Sequence, residues 1–331
     1  MRIDAHAHVI VPEMLRGARG GETWRPHVWW EDGVQTVELG GRAIRSAVRE
    51  FVDADAILAE QDAAGIDHVV LCPWVNLLGY EAEPREGLER CRIQNDGLAA
   101  LQAAHPDRVS VLGSVPLQEP ELAAAELEAL MASGSFAGVE IAASVRGVYL
   151  GDDRLDPFWA AAEACGALVF VHPTTRGFSD AVFEDHYLWN LVGNPMETTI
   201  AGAHLVLAGV LERHPRVRVL LAHGGGALPA LRGRLRHGWS FQPQARSRLT
   251  EDPEASLRRL YYDTVTHDSG LLADLVRFAG ADHVLLGSDY PFDMADARPA
   301  ETVAAAGLNP DEERAVLGGS AARLLGLEAP A

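Results

Sequence analysis

Two histidines, His6 and His8, stand one residue apart in the short apolar run Ile3-Asp-Ala-His-Ala-His8. Side chains along a β-strand alternate faces with a period of two, so both imidazoles point to one side and can hold one metal ion together. Three more polar residues close apolar runs. They are His172 in Leu168-Val-Phe-Val-His172-Pro, His223 in Val217-Arg-Val-Leu-Leu-Ala-His223-Gly-Gly-Gly, and Asp289 in His283-Val-Leu-Leu-Gly-Ser-Asp289-Tyr-Pro. Each run is β-branched or leucine-rich and bounded by Gly or Pro, the pattern of a short buried strand. The imidazoles of His6, His8 and His172 with the carboxylate of Asp289 suit Zn²⁺, one per subunit, or another first-row divalent ion. Such an ion lowers the pKa of a bound water or polarises a substrate oxygen. His223 then serves as a general acid/base or water-orienting group beside the metal, because imidazole titrates near neutral pH. The glycines after it leave room for a ligand to approach the backbone.

Residues so far apart in sequence need a scaffold that brings strand ends together. Strand-like runs recur near residues 2–8, 68–74, 108–116, 138–143, 168–173, 217–223, 260–265 and 283–289. Between them lie Ala-, Leu- and Glu-rich stretches such as Ala54 to Ala64, Glu119 to Ala132, Pro157 to Cys165 and Ser269 to Phe278, which favour helix. The alternation predicts an α/β protein, a (β/α)8 TIM barrel occupying residues 1–331 as a single domain, with the candidate ligands at the C-terminal ends of its strands. Residues 12–52 break the alternation with Trp24, Trp29 and Trp30 and then a hairpin-like run from Val34 to a Gly-Gly turn. They read as a small β-rich insertion after strand 1, a lid over the catalytic face. The segment 174–200, with His186 and Trp189, reads as a second long loop. The fourth run, Gly138 to Ser144, offers no lysine to carbamylate and bridge a second metal, so one ion is expected, with Glu140 turned to the helical layer or paired locally. Of the other histidines, His267 approaches the same face.

Composition narrows the class further. A length of 331 residues, with 48% of them apolar, is ample for one barrel core. Three cysteines without a CxxC pair argue against a disulfide framework and for a reducing, cytoplasmic setting. No apolar stretch approaches the ~18 residues of a membrane span, and the start lacks a signal-peptide pattern. A formal charge of −19 argues against nucleic-acid binding, so a small carboxylate substrate would need a local positive pocket.

The segments Ile3-Asp-Ala-His-Ala-His8, Ala64-Gly-Ile-Asp67, Val115-Pro-Leu-Gln118, Val171-His-Pro173, Ala222-His-Gly-Gly-Gly226 and Leu286-Gly-Ser-Asp-Tyr-Pro-Phe292 together resemble the amidohydrolase superfamily. The likeness is to its amidohydrolase-related branch, which contains aminocarboxymuconate-semialdehyde decarboxylase, and it spans nearly the whole chain. It implies a mononuclear zinc site on a (β/α)8 barrel, with His6, His8, His172 and Asp289 matching the ligands and His223 the catalytic histidine. It also implies two arginines for substrate carboxylates. Arg45, eight residues before Asp53, matches one from the insertion, and Arg234, eleven after His223, matches one that reaches over from a neighbouring subunit of a homodimer. Trp189 is retained in the substrate loop, whereas Thr174 to Phe178 replace a Trp-Asp pair. The implied activity is non-oxidative decarboxylation of an unsaturated or aromatic-derived acid: His223 moves a proton, Asp289 assists, and CO₂ leaves. The same ligand set would also serve a hydrolase of a lactone or related cyclic acid, or a hydratase of an unsaturated diacid.

Overall fold

The computed structural model describes residues 1–15, 24–31, 34–39, 42–44, 51–174 and 181–327. Eight parallel strands form one sheet in sequence order: β1 (Ile3–Val9), β2 (His68–Pro73), β3 (Val109–Gly113), β4 (Phe136–Ala142), β5 (Leu168–His172), β6 (Arg218–Leu221), β7 (Tyr261–Asp263) and β8 (Val284–Leu285). The sheet closes on itself. Ala5 N donates to Leu286 O, His8 N to Tyr290 O and Asp289 N to His6 O, each at 2.8 Å. This is the (β/α)8 TIM barrel that the alternation predicts, and each predicted strand lies on an observed one.

Alternation along the strands builds two cores. Ile3, Ala5, Val70, Cys72, Leu112, Phe170 and Leu220 fill the barrel interior. Val69, Val111, Val139, Val171 and Val219 face outward and are buried under the helices. Strands covered on both faces are apolar throughout, which is why the sequence runs show no polar alternation. The four predicted helices are present as Ala54–Ala63, Pro120–Ser133, Asp156–Cys165 and Ser269–Ala279. The first is capped by the Asp53 carboxylate, which accepts from Asp55 N and Ala56 N at 3.0 and 3.2 Å, and the last by Asp268, which accepts from Leu271 N at 2.8 Å.

Two segments need comment. The stretch expected to be a loop over 174–200 turns helical in its second half, where Asn194–Leu207 form a helix. Pro195 sits in its first turn, where a missing N–H costs nothing and the fixed φ suits a helix. After β1, His27–Glu31, Val34–Leu39 and Arg42–Ile44 pair as a three-stranded antiparallel sheet, with Val37 opposite both Val28 and Ile44. Val37 is fully buried and anchors this sheet to the main core. At the far end of the segment, Phe51 packs between Trp74 and Phe292, with ring centroids 5.6 and 5.4 Å away. No helix of the described residues is long and apolar enough to cross a membrane.

Candidate metal centre

Asp4 joins the first barrel strand to the last. Its Oδ1 accepts from His6 N and Ser288 N, both at 3.0 Å, and its Oδ2 from Gln61 Nε2 at 3.1 Å and Ser288 Oγ at 2.5 Å. His6 and His8 on β1 are thereby set beside Asp289, one residue beyond Ser288. Cα register pairs His8 of β1 with Cys72 of β2 and His172 of β5 with Ala142 of β4. The strand ends thus place His6, His8, His172, His223 and Asp289 around one point.

Each of the three histidines expected as ligands has its Nδ1 against an acceptor that can only accept. His6 Nδ1 lies 2.7 Å from Asp263 Oδ2, His8 Nδ1 3.2 Å from Pro73 O, and His172 Nδ1 3.0 Å from Pro173 O. Nδ1 therefore carries the proton in each ring, and each Nε2 turns a lone pair inward. His6 Nε2 is 3.1 Å from His8 Nε2 and 3.2 Å from Asp289 Oδ1, while His8 and His172 Nε2 lie 3.4 and 3.9 Å from that oxygen. Two inward lone pairs and a carboxylate oxygen repel one another at such distances unless a proton or a metal ion lies between them. Ligands about 2.1 Å from a tetrahedral ion sit roughly 3.4 Å apart, close to the observed separations. His172 Nε2 and Asp289 Oδ1 are buried without any hydrogen-bond partner. The residues fit a divalent ion.

The electrostatics agree. Burial opposes protonation of His6, yet the Asp289 and Asp263 carboxylates outweigh it and hold its pKa up at about 10, so without an ion a second proton sits on its Nε2, at the point where a divalent ion would take its place. Burial alone would raise the Asp289 carboxyl, but the surrounding histidines, His6 foremost, keep it well below the usual carboxylate range. Burial pushes His8 down, and His172 down to about 3, leaving both neutral and able to offer a lone pair.

His223 stands at the edge of this cluster. Its Nε2 is 3.3 Å from Asp289 Oδ2, and its Nδ1 is buried without a partner. His6, His172, His223 and Asp289 all present donor atoms within 4.8 Å of one another. The backbone of His223 has φ +56°, and that of Asp289 +60°, a left-handed conformation uncommon outside glycine. It turns both side chains off their strand ends toward the centre. Of the three glycines that follow, Gly224 and Gly226 line the cavity beside the site, and the turn is also closely packed: a Cβ on Gly226 would meet Pro195 O at 2.0 Å and one on Gly225 the Tyr262 ring at 2.7 Å.

Glu140 corrects the sequence reading. It is fully buried in the barrel interior, not against the helices, because it is in register with the interior residue Phe170. Its carboxyl lies 3.9 Å from His8 Nδ1, its oxygens have no hydrogen-bond partner, and burial raises its pKa well above the usual carboxylate value. Neither Asp4 nor Asp263 stands out in the sequence as a site residue. Asp263 falls inside the sequence run 260–265, and only the observed strand, Tyr261–Asp263, ends on it, so the strand-end criterion applied to the sequence does not select it.

A cavity of about 310 Å³ opens from the centre, with His223 and Asp289 at its base and Leu191, Arg232 and His267 among its walls. His267 thus reaches the face expected of it. Trp189 is 38% exposed and packs edge-on against Tyr187, at 4.9 Å between ring centroids, while its neighbours Asn190 and Leu191 line the cavity. Arg234 is exposed on the helix Leu228–Phe241 and does not line the cavity of its own chain, unlike Arg232. Arg45 and residues 175–178 lie outside the described residues.

A relative from Dictyostelium discoideum, 2-amino-3-carboxymuconate-6-semialdehyde decarboxylase, is 29% identical over 99% of this chain and 92% of its own length. The crystal structure of Metarhizium anisopliae IDCase superposes with a TM-score of 0.85 at 26% identity, covering 100% of this chain and 98% of that one. A dihydroxybenzoic acid decarboxylase from Polaromonas, solved with bound manganese and the inhibitor 2-nitroresorcinol, shares the fold at a TM-score of 0.80 and 22% identity, covering 99% and 98%. The family model described as Amidohydrolase matches residues 3–327, and the chain belongs to that family.

Proposed function

We infer that this chain is a metal-dependent, non-oxidative decarboxylase in which His6, His8, His172 and Asp289 hold one divalent ion and His223 moves the proton. The observation that carries the reading is the convergence of three inward Nε2 lone pairs on the buried, unpaired Asp289 Oδ1. A bound divalent ion supplies a Lewis acid that polarises a substrate or water oxygen. His223, at the base of the cavity beside Asp289, takes up or delivers a proton at its imidazole. The bond between substrate carbon and carboxyl carbon breaks, its electron pair stays on the substrate carbon, CO₂ departs, and one proton takes its place. No net oxidation occurs.

The substrate class is an unsaturated or aromatic-derived carboxylic acid. Decarboxylation is the activity named for both the Dictyostelium relative and the Polaromonas structure, and it is favoured over the lactone hydrolase or diacid hydratase. Zinc is the ion the sequence resemblance implies, and manganese is the ion held by the Polaromonas fold neighbour. Arg45 and Arg234 bind substrate carboxylate and Trp189 shapes its loop. Arg234 acts on the neighbouring active site of a homodimer, a placement that its exposure on its own chain allows. The segment 12–52 acts as a lid, supported by Phe51, which packs through Phe292 toward His8 at 5.2 Å between the latter two rings.

The test is CO₂ release by purified, metal-analysed protein from aminocarboxymuconate semialdehyde and, separately, from 2,6-dihydroxybenzoate. Turnover that is lost on chelation and in His223→Ala is the expected result. A stoichiometric metal with no CO₂ from either acid, but ring opening of a lactone, overturns it.

A further inference from the structure

Asp263 makes four hydrogen bonds and accepts in all of them. Oδ2 takes His6 Nδ1–H at 2.7 Å and His223 N–H at 2.9 Å; Oδ1 takes Gly224 N–H at 2.7 Å and Val265 N–H at 3.0 Å. The side chain is fully buried, so no water substitutes for it. Its partners belong to two different parts of the site: the ring of a ligand histidine on β1, and the left-handed turn beyond β6 that carries His223.

We propose that Asp263 is the positioning residue that couples the two, by fixing the tautomer of His6 and the backbone of His223 through one carboxylate. The inference rests on the metal-centre reading above. A histidine binds metal through a nitrogen without a proton, and a carboxylate behind the other nitrogen holds the proton there and sets the ring's orientation. Three of the four donors are backbone N–H groups and cannot change role. The fourth, His6, can.

That asymmetry makes Asp263→Asn a sharp probe. An asparagine of the same shape has one oxygen and one NH₂. With its oxygen toward His6 and His223, the NH₂ confronts Gly224 N–H and Val265 N–H, and two bonds are lost. With its oxygen toward Gly224 and Val265, the NH₂ faces His223 N–H and His6 Nδ1; one bond is lost, and the other is kept if His6 moves its proton to Nε2. The second arrangement keeps more hydrogen bonds. It also places a proton on the nitrogen that must face the ion.

The experiment titrates wild type, Asp263→Asn, Asp263→Ala and His6→Ala with Zn²⁺ against a chromophoric chelator, with thermal melts to establish folding. The expected result is a loss of affinity of at least 10- to 100-fold in Asp263→Asn, the range typical of mutating the partner behind a ligand histidine. The loss in Asp263→Asn equals or exceeds that in Asp263→Ala, since alanine leaves the His6 tautomer free. A purely structural role predicts the opposite order, with the isosteric asparagine milder, and that order, or a folded Asp263→Asn of wild-type affinity, overturns the proposal. Wild-type protein that binds no Zn²⁺, or His6→Ala that binds it unchanged, refutes the metal-centre reading instead. Should Asp263→Asn not fold, ¹⁵N chemical shifts of the wild-type imidazoles with Zn²⁺ bound decide: His6 with its proton on Nδ1 and its Nε2 on the ion upholds the proposal, and a proton on Nε2 overturns it.

Discussion

Replacing Asp4 with asparagine tests whether the first and last strands are joined through a carboxyl that does not welcome charge. Burial pushes the Asp4 carboxyl from 3.8 up to about 6, despite its hydrogen bonds from Ser288, His6 and Gln61. In the unfolded chain it ionises near 3.8, so between about pH 4 and 6 the folded state holds a proton that the unfolded state has lost. Stability from this group is therefore lost as pH rises through that window and is constant above it. The shift of about two pKa units corresponds to ~3 kcal/mol. Asparagine has no such titration, and the surroundings can receive it: Gln61 Oε1 is buried without a partner and can turn to accept from the new NH₂, as can Ser288 Oγ. Urea unfolding of wild type and Asp4→Asn at pH 4 and pH 7 is the assay. Relative to wild type, the variant should gain about 2.4 kcal/mol between the two pH values, or roughly 3 °C in Tm for a chain of this length. A difference that does not change with pH, or that moves against the variant as pH rises, refutes the reasoning.

Metal occupancy should register as stability. At a free ion concentration 100 times Kd, binding to the folded state alone adds about 2.7 kcal/mol, and Tm rises by roughly 4 °C. In His172→Ala, which lacks an inward Nε2, the rise at the same ion concentration should vanish in differential scanning fluorimetry; an equal rise would remove His172 from the ligand set. Gly226→Ala combines a left-handed φ of +60° with a Cβ placed 2.0 Å from Pro195 O. The backbone penalty and the overpacking together should cost about 2–5 kcal/mol in urea unfolding. A loss below about 1 kcal/mol would show that the turn after His223 relaxes freely.

The parts of this site that were legible in the sequence share a cause. His6, His8, His172, His223 and Asp289 each end an apolar run, and in an α/β barrel the strand ends meet on one face, so the fold class alone brings them together. Asp263 was not legible on that ground, because the sequence run extends over 260–265 and only the folded strand, Tyr261–Asp263, ends on it. The side that Glu140 faces is not legible in the sequence, because a strand buried on both faces carries no polar alternation to say which residues point inward. Only the register with Phe170 of the next strand settles that.

The local chain determined which residues could do chemistry, where strands and helices would form, and that eight such units would follow one another, because periodicity and strand-end position are written in neighbouring residues. Which nitrogen of His6 and of His8 carries the proton, and that one aspartate holds both His6 and the turn of His223, depended on groups tens to hundreds of residues away, while helix packing decided that Arg232 rather than Arg234 lines the cavity of its own chain. Hydrogen-bond direction and burial belong to pairs of groups brought together by folding. The tertiary structure alone could decide them.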